Sequence, residues 1–225
     1  MELENITIVG RTDEKRRYDD ACAAAHGMDL IGERWSMPLI RELLLGPRRF
    51  GDLKTSLNGI SANVLSQRLE GLEMAGVLLR RKLPPPASVQ VYELTPWGYE
   101  AAPIFQALGR WAVRSPRHDP MRPFSPVSLM LSLRTMLNAQ AAGNLAARIQ
   151  LGMAGEYYFW IREMGEVRIG RGEIDLPDLI IRGSPSDIAG YVYAGAPLSS
   201  IEIEGDAKLA ARLPSLFPMP PKAAG

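Results

Sequence analysis

Between Ser115 and Pro126 the chain carries Pro116, Pro120, Pro123 and Pro126, four prolines in twelve residues. Each proline removes a backbone N–H and clashes with the preceding turn, so no helix runs through such a stretch. The chain is therefore predicted to divide into two folded parts joined by a stiff linker over 116–126. Its length of 225 residues suits that division, since about 100–200 residues per domain is usual. At 46% hydrophobic and 23% charged residues, each part has the apolar side chains to bury a core.

The first part, 18–115, reads as helix, helix, helix, β-hairpin, helix. A helix is predicted to open at Asp19 or Asp20, whose carboxylates can accept from free first-turn N–H groups, and to run to Gly32. A second spans Trp35–Leu45 and ends at Gly46-Pro47, and a short third covers Phe50–Leu57. Asn58-Gly59 marks a turn, Ser61 an N-cap, and the helix it opens runs to Gly76. Two strands, 77–83 and 89–94, flank a proline-rich tip at Pro84–Ser88, and Thr95 with Pro96 opens a helix reaching about Arg114. Residues 1–17 are polar, lack an amphipathic period and are predicted to form a flexible arm.

The segment 49–76, a short helix, a tight turn and a longer capped helix, is a helix-turn-helix in outline. Rotating residues 61–75 by about 100° each puts Leu65, Leu69 and Leu72 on one face. Asn63, Ser66, Gln67 and Glu70 fall on the other. Asn and Gln form paired hydrogen bonds with adenine, and Ser donates or accepts at several base edges. Ser61, Asn63, Ser66 and Gln67 are therefore the candidate base readers. Arg48, Arg49, Lys54 and Arg68 flank the helix, and Arg80, Arg81 and Lys82 lie on the hairpin; these are the candidate phosphate contacts, which position a protein without reading sequence. From Arg34 to Lys82 nine Lys/Arg face four Asp/Glu, a local excess of +5, although the whole chain is only +1.

The second part, 127–217, begins with a helical pattern over 127–140 and then turns to strands at 147–151, 156–163, 166–172 and 179–183. Ser184 or Ser186 opens a helix, 200–205 is a strand, and Asp206 opens a last helix to Leu216, giving an α+β fold overall. Tyr157, Tyr158, Phe159 and Trp160 share one strand, so two face each way. One pair could line a pocket, though core packing accounts for them as well. The tail, 218–225, is predicted to be loose.

Catalytic patterns are absent. The two histidines, His26 and His118, lie far apart, and no metal-binding, nucleophile-elbow or phosphate-loop spacing occurs. No enzyme activity, metal or cofactor is expected. A single cysteine, Cys22, allows no internal disulfide and fits a reducing, cytoplasmic setting. No signal peptide or apolar run of about 18 residues is present, so no membrane partner is expected.

The stretch from Cys22 to Arg114 resembles the HxlR family, relatives of MarR-type regulators. The resemblance rests on Cys22 with Asp29-Leu30-Ile31-Gly32, Arg34-Trp35, Leu39–Leu43, Gly46–Leu53, Gly59-Ile60-Ser61, Val64–Leu69, Leu72-Glu73, Ala75-Gly76, and Tyr92–Thr95 before Gly98. It implies a winged helix homodimer on a two-fold symmetric DNA operator, paired through residues near 20–28 and 99–114, and not an enzyme. It also implies that Cys22 is a candidate redox sensor, as the cysteine at this position is in some relatives. Glu70, where a basic residue is common, and a wing tip without a cation depart from the family pattern. Residues 127–217 more distantly resemble the sterol carrier protein type 2 fold, on Asp178–Ile181, Ile188, Tyr191, Gly195, Ile201–Asp206 and Leu209–Phe217. That resemblance implies an apolar tunnel and a small-molecule effector. The competing expectation is a lipid or small-molecule carrier that keeps the winged part only to dimerise.

Overall fold

The computed structural model describes residues 18–120 and 122–224. The predicted arm, 1–17, lies outside them. The first half contains α1 (Ala23–Ile31), α2 (Ser36–Leu43), α3 (Phe50–Ser56), α4 (Ala62–Met74), the hairpin β1 (Leu78–Lys82) and β2 (Gln90–Leu94), then α5 (Pro96–Tyr99) and α6 (Ala102–Ala112). Its apolar cluster is built from Leu39, Ile40 and Leu43 of α2, Leu53 of α3, Leu65, Leu69 and Leu72 of α4, and Leu78 and Leu94 of the hairpin. The i, i+4, i+7 leucines of α4 are at most 2% exposed, as the helical period requires. This is a winged helix-turn-helix, and its wing gains an extra edge where Arg48 and Tyr92 exchange backbone hydrogen bonds of 3.0 and 2.8 Å.

Two expectations in this half need correction. The first helix opens at Ala23, not at Asp19 or Asp20. Asp20 Oδ1 instead accepts from the Cys22 N–H at 2.9 Å, which holds Cys22 extended at the N-cap. The helix expected from Thr95 to Arg114 is divided into α5 and α6. Pro103 has no N–H to return to the Tyr99 carbonyl, so the chain tightens into i to i−3 bonds at Glu100 and Ala101 before restarting. Thr95 does cap α5, accepting from the Gly98 N–H at 3.0 Å while its hydroxyl donates to the Gly76 carbonyl at 2.8 Å. That docking demands glycine at 98, because an added Cβ would stand 2.0 Å from the Val77 carbonyl oxygen.

The second half contains α7 (Pro126–Met136), α8 (Ala139–Ala142), β3 (Ala147–Met153), β4 (Glu156–Glu163), β5 (Glu166–Arg171), β6 (Leu179–Arg182), α9 (Pro185–Ala194), β7 (Glu202–Gly205) and α10 (Ala207–Leu216). Ser125, Ser184 and Asp206 cap α7, α9 and α10 through their side chains. The five strands form one sheet in the order β5-β4-β3-β6-β7, antiparallel except where β3 runs parallel to β6. Ile149 and Leu151 of β3, Tyr158 and Trp160 of β4, and Ile181 of β6 point into a core shared with α7, α9 and α10. The aromatic run divides by strand alternation, with Tyr158 and Trp160 inside and Tyr157 38% exposed.

The two halves meet in named polar contacts. Arg48 Nη1 donates to Glu156 Oε1 at 2.6 Å, Ser125 Oγ to buried Glu42 at 2.6 Å, and Arg110 Nε to the Thr135 carbonyl at 3.2 Å. The tail, expected to be loose, is tied down. The Ala223 N–H donates to the Arg114 carbonyl at 2.7 Å and Lys222 Nζ to the Val113 carbonyl at 3.1 Å. Both acceptors lie just past α6, where terminal carbonyls have no helical partner.

Candidate nucleic-acid interface

The helix-turn-helix places α4 with one side locked into the core and the other open. Ser61 Oγ accepts from the Val64 N–H at 3.2 Å, so the cap serves the helix and fixes where it begins. Beyond it, Asn63 and Gln67 are exposed and Ser66 is half-buried. Glu70 is exposed on the same side, one turn further on. Three amide or hydroxyl side chains thus stand at the N-terminal half of α4, where free N–H groups also favour phosphate.

The seven candidate phosphate cations separate into two groups. Arg49, Lys54 and Lys82 form no ion pair among the described residues, and Arg49 and Lys82 are exposed. The other four are paired. Arg68 meets Glu33 at 3.3 Å, Arg80 meets Glu73 at 2.7 Å, and Arg81 meets Glu93. The side chains of Arg80 and Arg81 remain 44% and 42% exposed, and water and salt screen such surface pairs so that they contribute little. A phosphate can displace them at little cost.

Arg48 differs from all of these. It is 9% exposed, its backbone is pinned to Tyr92, and its guanidinium is spent on Glu156. Glu156 also accepts from the Tyr158 hydroxyl at 2.5 Å and lies 3.8 Å from Arg171. Burial pulls the Glu156 carboxyl upward, but the hydrogen bonds from Arg48 and Tyr158 and the charges of Arg48 and Arg171 outweigh it and hold the group below the ordinary range. Burial, then the bond to Glu156, pushes the Tyr158 hydroxyl up to about 12. In this structure Arg48 is a joint between the halves and is withdrawn from any surface phosphate. Sequence reasoning missed this because Glu156 lies 108 residues away.

Cys22 sits exposed at the start of α1, where hydrogen bonds from the Ala25 and Ala24 amides lower its thiol pKa. Helices α1 and α6 bury none of their residues in this chain. Met28 is 52% exposed, Ile104 53%, Leu108 43% and Trp111 75%. No helix among the described residues is long and apolar enough to cross a membrane.

Comparison with known proteins places this arrangement. The family model of the HxlR-like helix-turn-helix matches residues 30–119. The chain is 35% identical over 85 residues to the HTH-type transcriptional regulator YvaP of Bacillus subtilis, covering 38% of this chain and 79% of that one. It is 34% identical over 83 residues to the HTH-type transcriptional regulator YodB of the same organism, covering 37% of this chain and 74% of YodB. The solved reduced form of YodB is 29% identical, with 44% of this chain and 100% of that chain covered, at a TM-score of 0.40. The exposed polar face of α4, its flanking cations and these matches lead to one conclusion: the chain belongs to the HxlR-like helix-turn-helix family of DNA-binding transcriptional regulators.

Proposed function

We propose that the protein is a homodimeric repressor that binds a palindromic operator through α4 and responds to an apolar small molecule through its second half. One observation carries the DNA reading. Asn63 and Gln67 stand exposed on a helix whose opposite leucines are buried, beside three cations that have no acidic partner among the described residues. Asn63, Ser66 and Gln67 read base edges, with Ser61 fixing the helix start. Arg49, Lys54 and Lys82 hold phosphates, and Arg68, Arg80 and Arg81 exchange exposed carboxylates for phosphates as DNA arrives. The protein works in the cytoplasm, with a DNA-binding domain over 18–115, a linker to 126 and an effector domain of sterol-carrier type over 127–217. The helix-first, five-stranded arrangement of the second half supports that last reading.

The dimer reading is supported by the apolar side chains that α1 and α6 leave exposed, since an uncovered stripe of this kind marks an association surface. Sedimentation of the full chain is expected to show a dimer, and Ile104→Ser with Trp111→Ser a monomer. In a gel shift against the promoter of its own gene, Gln67→Ala is expected to relax specificity by about 1–3 kcal/mol between cognate and altered sites, while Arg49→Ala weakens all sequences alike. Equal behaviour of the two variants would remove the base-reading role of α4.

A second reading keeps the same fold and makes Cys22 a redox sensor. Its exposure and the two amides that favour its thiolate support it. Alkylation of Cys22 well below the pH required by a free thiol is the expected sign, and an ordinary rate removes the reading.

A further inference from the structure

The junction between the halves forms a cleft-like cavity of about 350 Å³, open on one side, with mostly apolar walls. Five separate segments meet there, with Ser132 coming from α7. Phe105 and Gly109 come from α6, His118 and Phe124 from the proline-rich linker, Tyr193 from α9, and Met219 from the tied-down tail. The volume falls within the range of about 300–1,000 Å³ typical of small-molecule sites. The core between sheet and helices is different. Its void, among Leu133, Ile149, Trp160 and Phe217, is only about 10 Å³, so the tunnel expected from the sterol-carrier resemblance is filled by side chains.

The polar groups of the cavity are few and specific. Ser132 Oγ and the Tyr193 hydroxyl share a 2.8 Å hydrogen bond, and burial pushes the Tyr193 hydroxyl upward, so it stays protonated. His118 Nδ1 is buried and has no hydrogen-bond partner among the described residues. An unpaired buried nitrogen is costly, and a ligand group that bonds to it removes the cost. Arg122, at 83% side-chain exposure and 3.6 Å from Asp119, adds a cation at the rim.

We propose that this cavity is the effector site, and that it takes a compact, mostly apolar molecule with one hydrogen-bonding, anionic head directed at His118 and Arg122. The inference deepens the regulator reading and rests on it for the consequence of binding. That consequence follows from α6. Phe105, Gly109, Ala112 and Val113 face the cavity, while Ile104, Leu108 and Trp111 face solvent. One helix therefore forms both the cavity wall and the proposed dimer surface, and a ligand that shifts it repositions the two copies of α4 relative to each other.

The test titrates the full chain with the dye 1-anilinonaphthalene-8-sulfonate, an aromatic molecule with one anionic head, following its fluorescence. Saturation at one dye per chain is expected. A Cβ at Gly109 meets nothing within 4 Å, so Gly109→Leu and Gly109→Phe fill the space. Each is expected to weaken dye binding about tenfold or more, with an intact cooperative melt, and His118→Ala severalfold. Dye binding that is unaffected by both Gly109 variants, or that is lost in Ile104→Ser instead, overturns the site. DNA binding without dye is read in parallel. Its loss in the parent chain with saturable dye binding intact would fault the regulator reading alone, and its retention with no cavity binding would fault the cavity alone.

Discussion

The core of the second half and the junction beside it are both lined by apolar side chains, yet one is full and the other hollow. Around Trp160 the remaining void is about 10 Å³; a short distance along α7 and α9 the space is about 350 Å³. Sheet pleating and helix period place Ile149, Leu151, Trp160 and Ile181 opposite helices that cover them, which produces close packing. The junction has no such repeat. It is assembled from the ends of elements, a linker and a tail, and its surfaces do not interdigitate. The open space therefore lies between the halves, beside a second-half core that is full.

Trp160→Ala should break the full region, with the largest effect. Removing a 1% exposed indole is expected to cost about 3–5 kcal/mol, seen as a lower thermal midpoint. Next comes the joint. Arg48→Ala leaves the Glu156 carboxylate partly buried without its guanidinium partner and is expected to cost about 1–3 kcal/mol, read by urea titration. Smaller again is a pH effect. The lowered pKa of Glu156 means that its contribution is present above the ordinary glutamate range and is lost as pH falls through the folded value. The midpoint difference between the parent and Glu156→Gln should therefore narrow on acidification below about pH 4. Smallest is Gly109→Leu in the hollow region. With open space for the side chain and better helix propensity, it should hold or raise stability by up to about 1 kcal/mol. A large loss there would show the cavity to be already filled.

What the sequence disclosed follows the range of the interactions. Ser61 and Thr95 were legible as caps, and Leu65, Leu69 and Leu72 as a buried face, because a cap and a helical stripe are set within a few residues. The base-reading candidates follow from the same local geometry. Arg48 was not legible. Its charge and its neighbour Arg49 suggested phosphate contact, and only the tertiary approach of β4 brings Glu156 to it. Pro103 is a local signal that divides the helix through 95–114, because it cannot donate to the carbonyl one turn back. The cavity could not be read at all, since its walls come from residues between 105 and 219 that share no local pattern.

The central claim, that α4 and its flanking cations form a DNA-reading surface, is tested most directly by measuring operator affinity against salt for the parent chain and for a variant with Arg49, Lys54 and Lys82 changed to Ala. The parent should bind with a steep negative dependence of log affinity on log salt, and the variant should lose roughly one unit of slope per chain for each phosphate contact removed, while keeping its sequence preference. A parent chain whose affinity is independent of salt, or a variant whose slope matches the parent, would contradict the account.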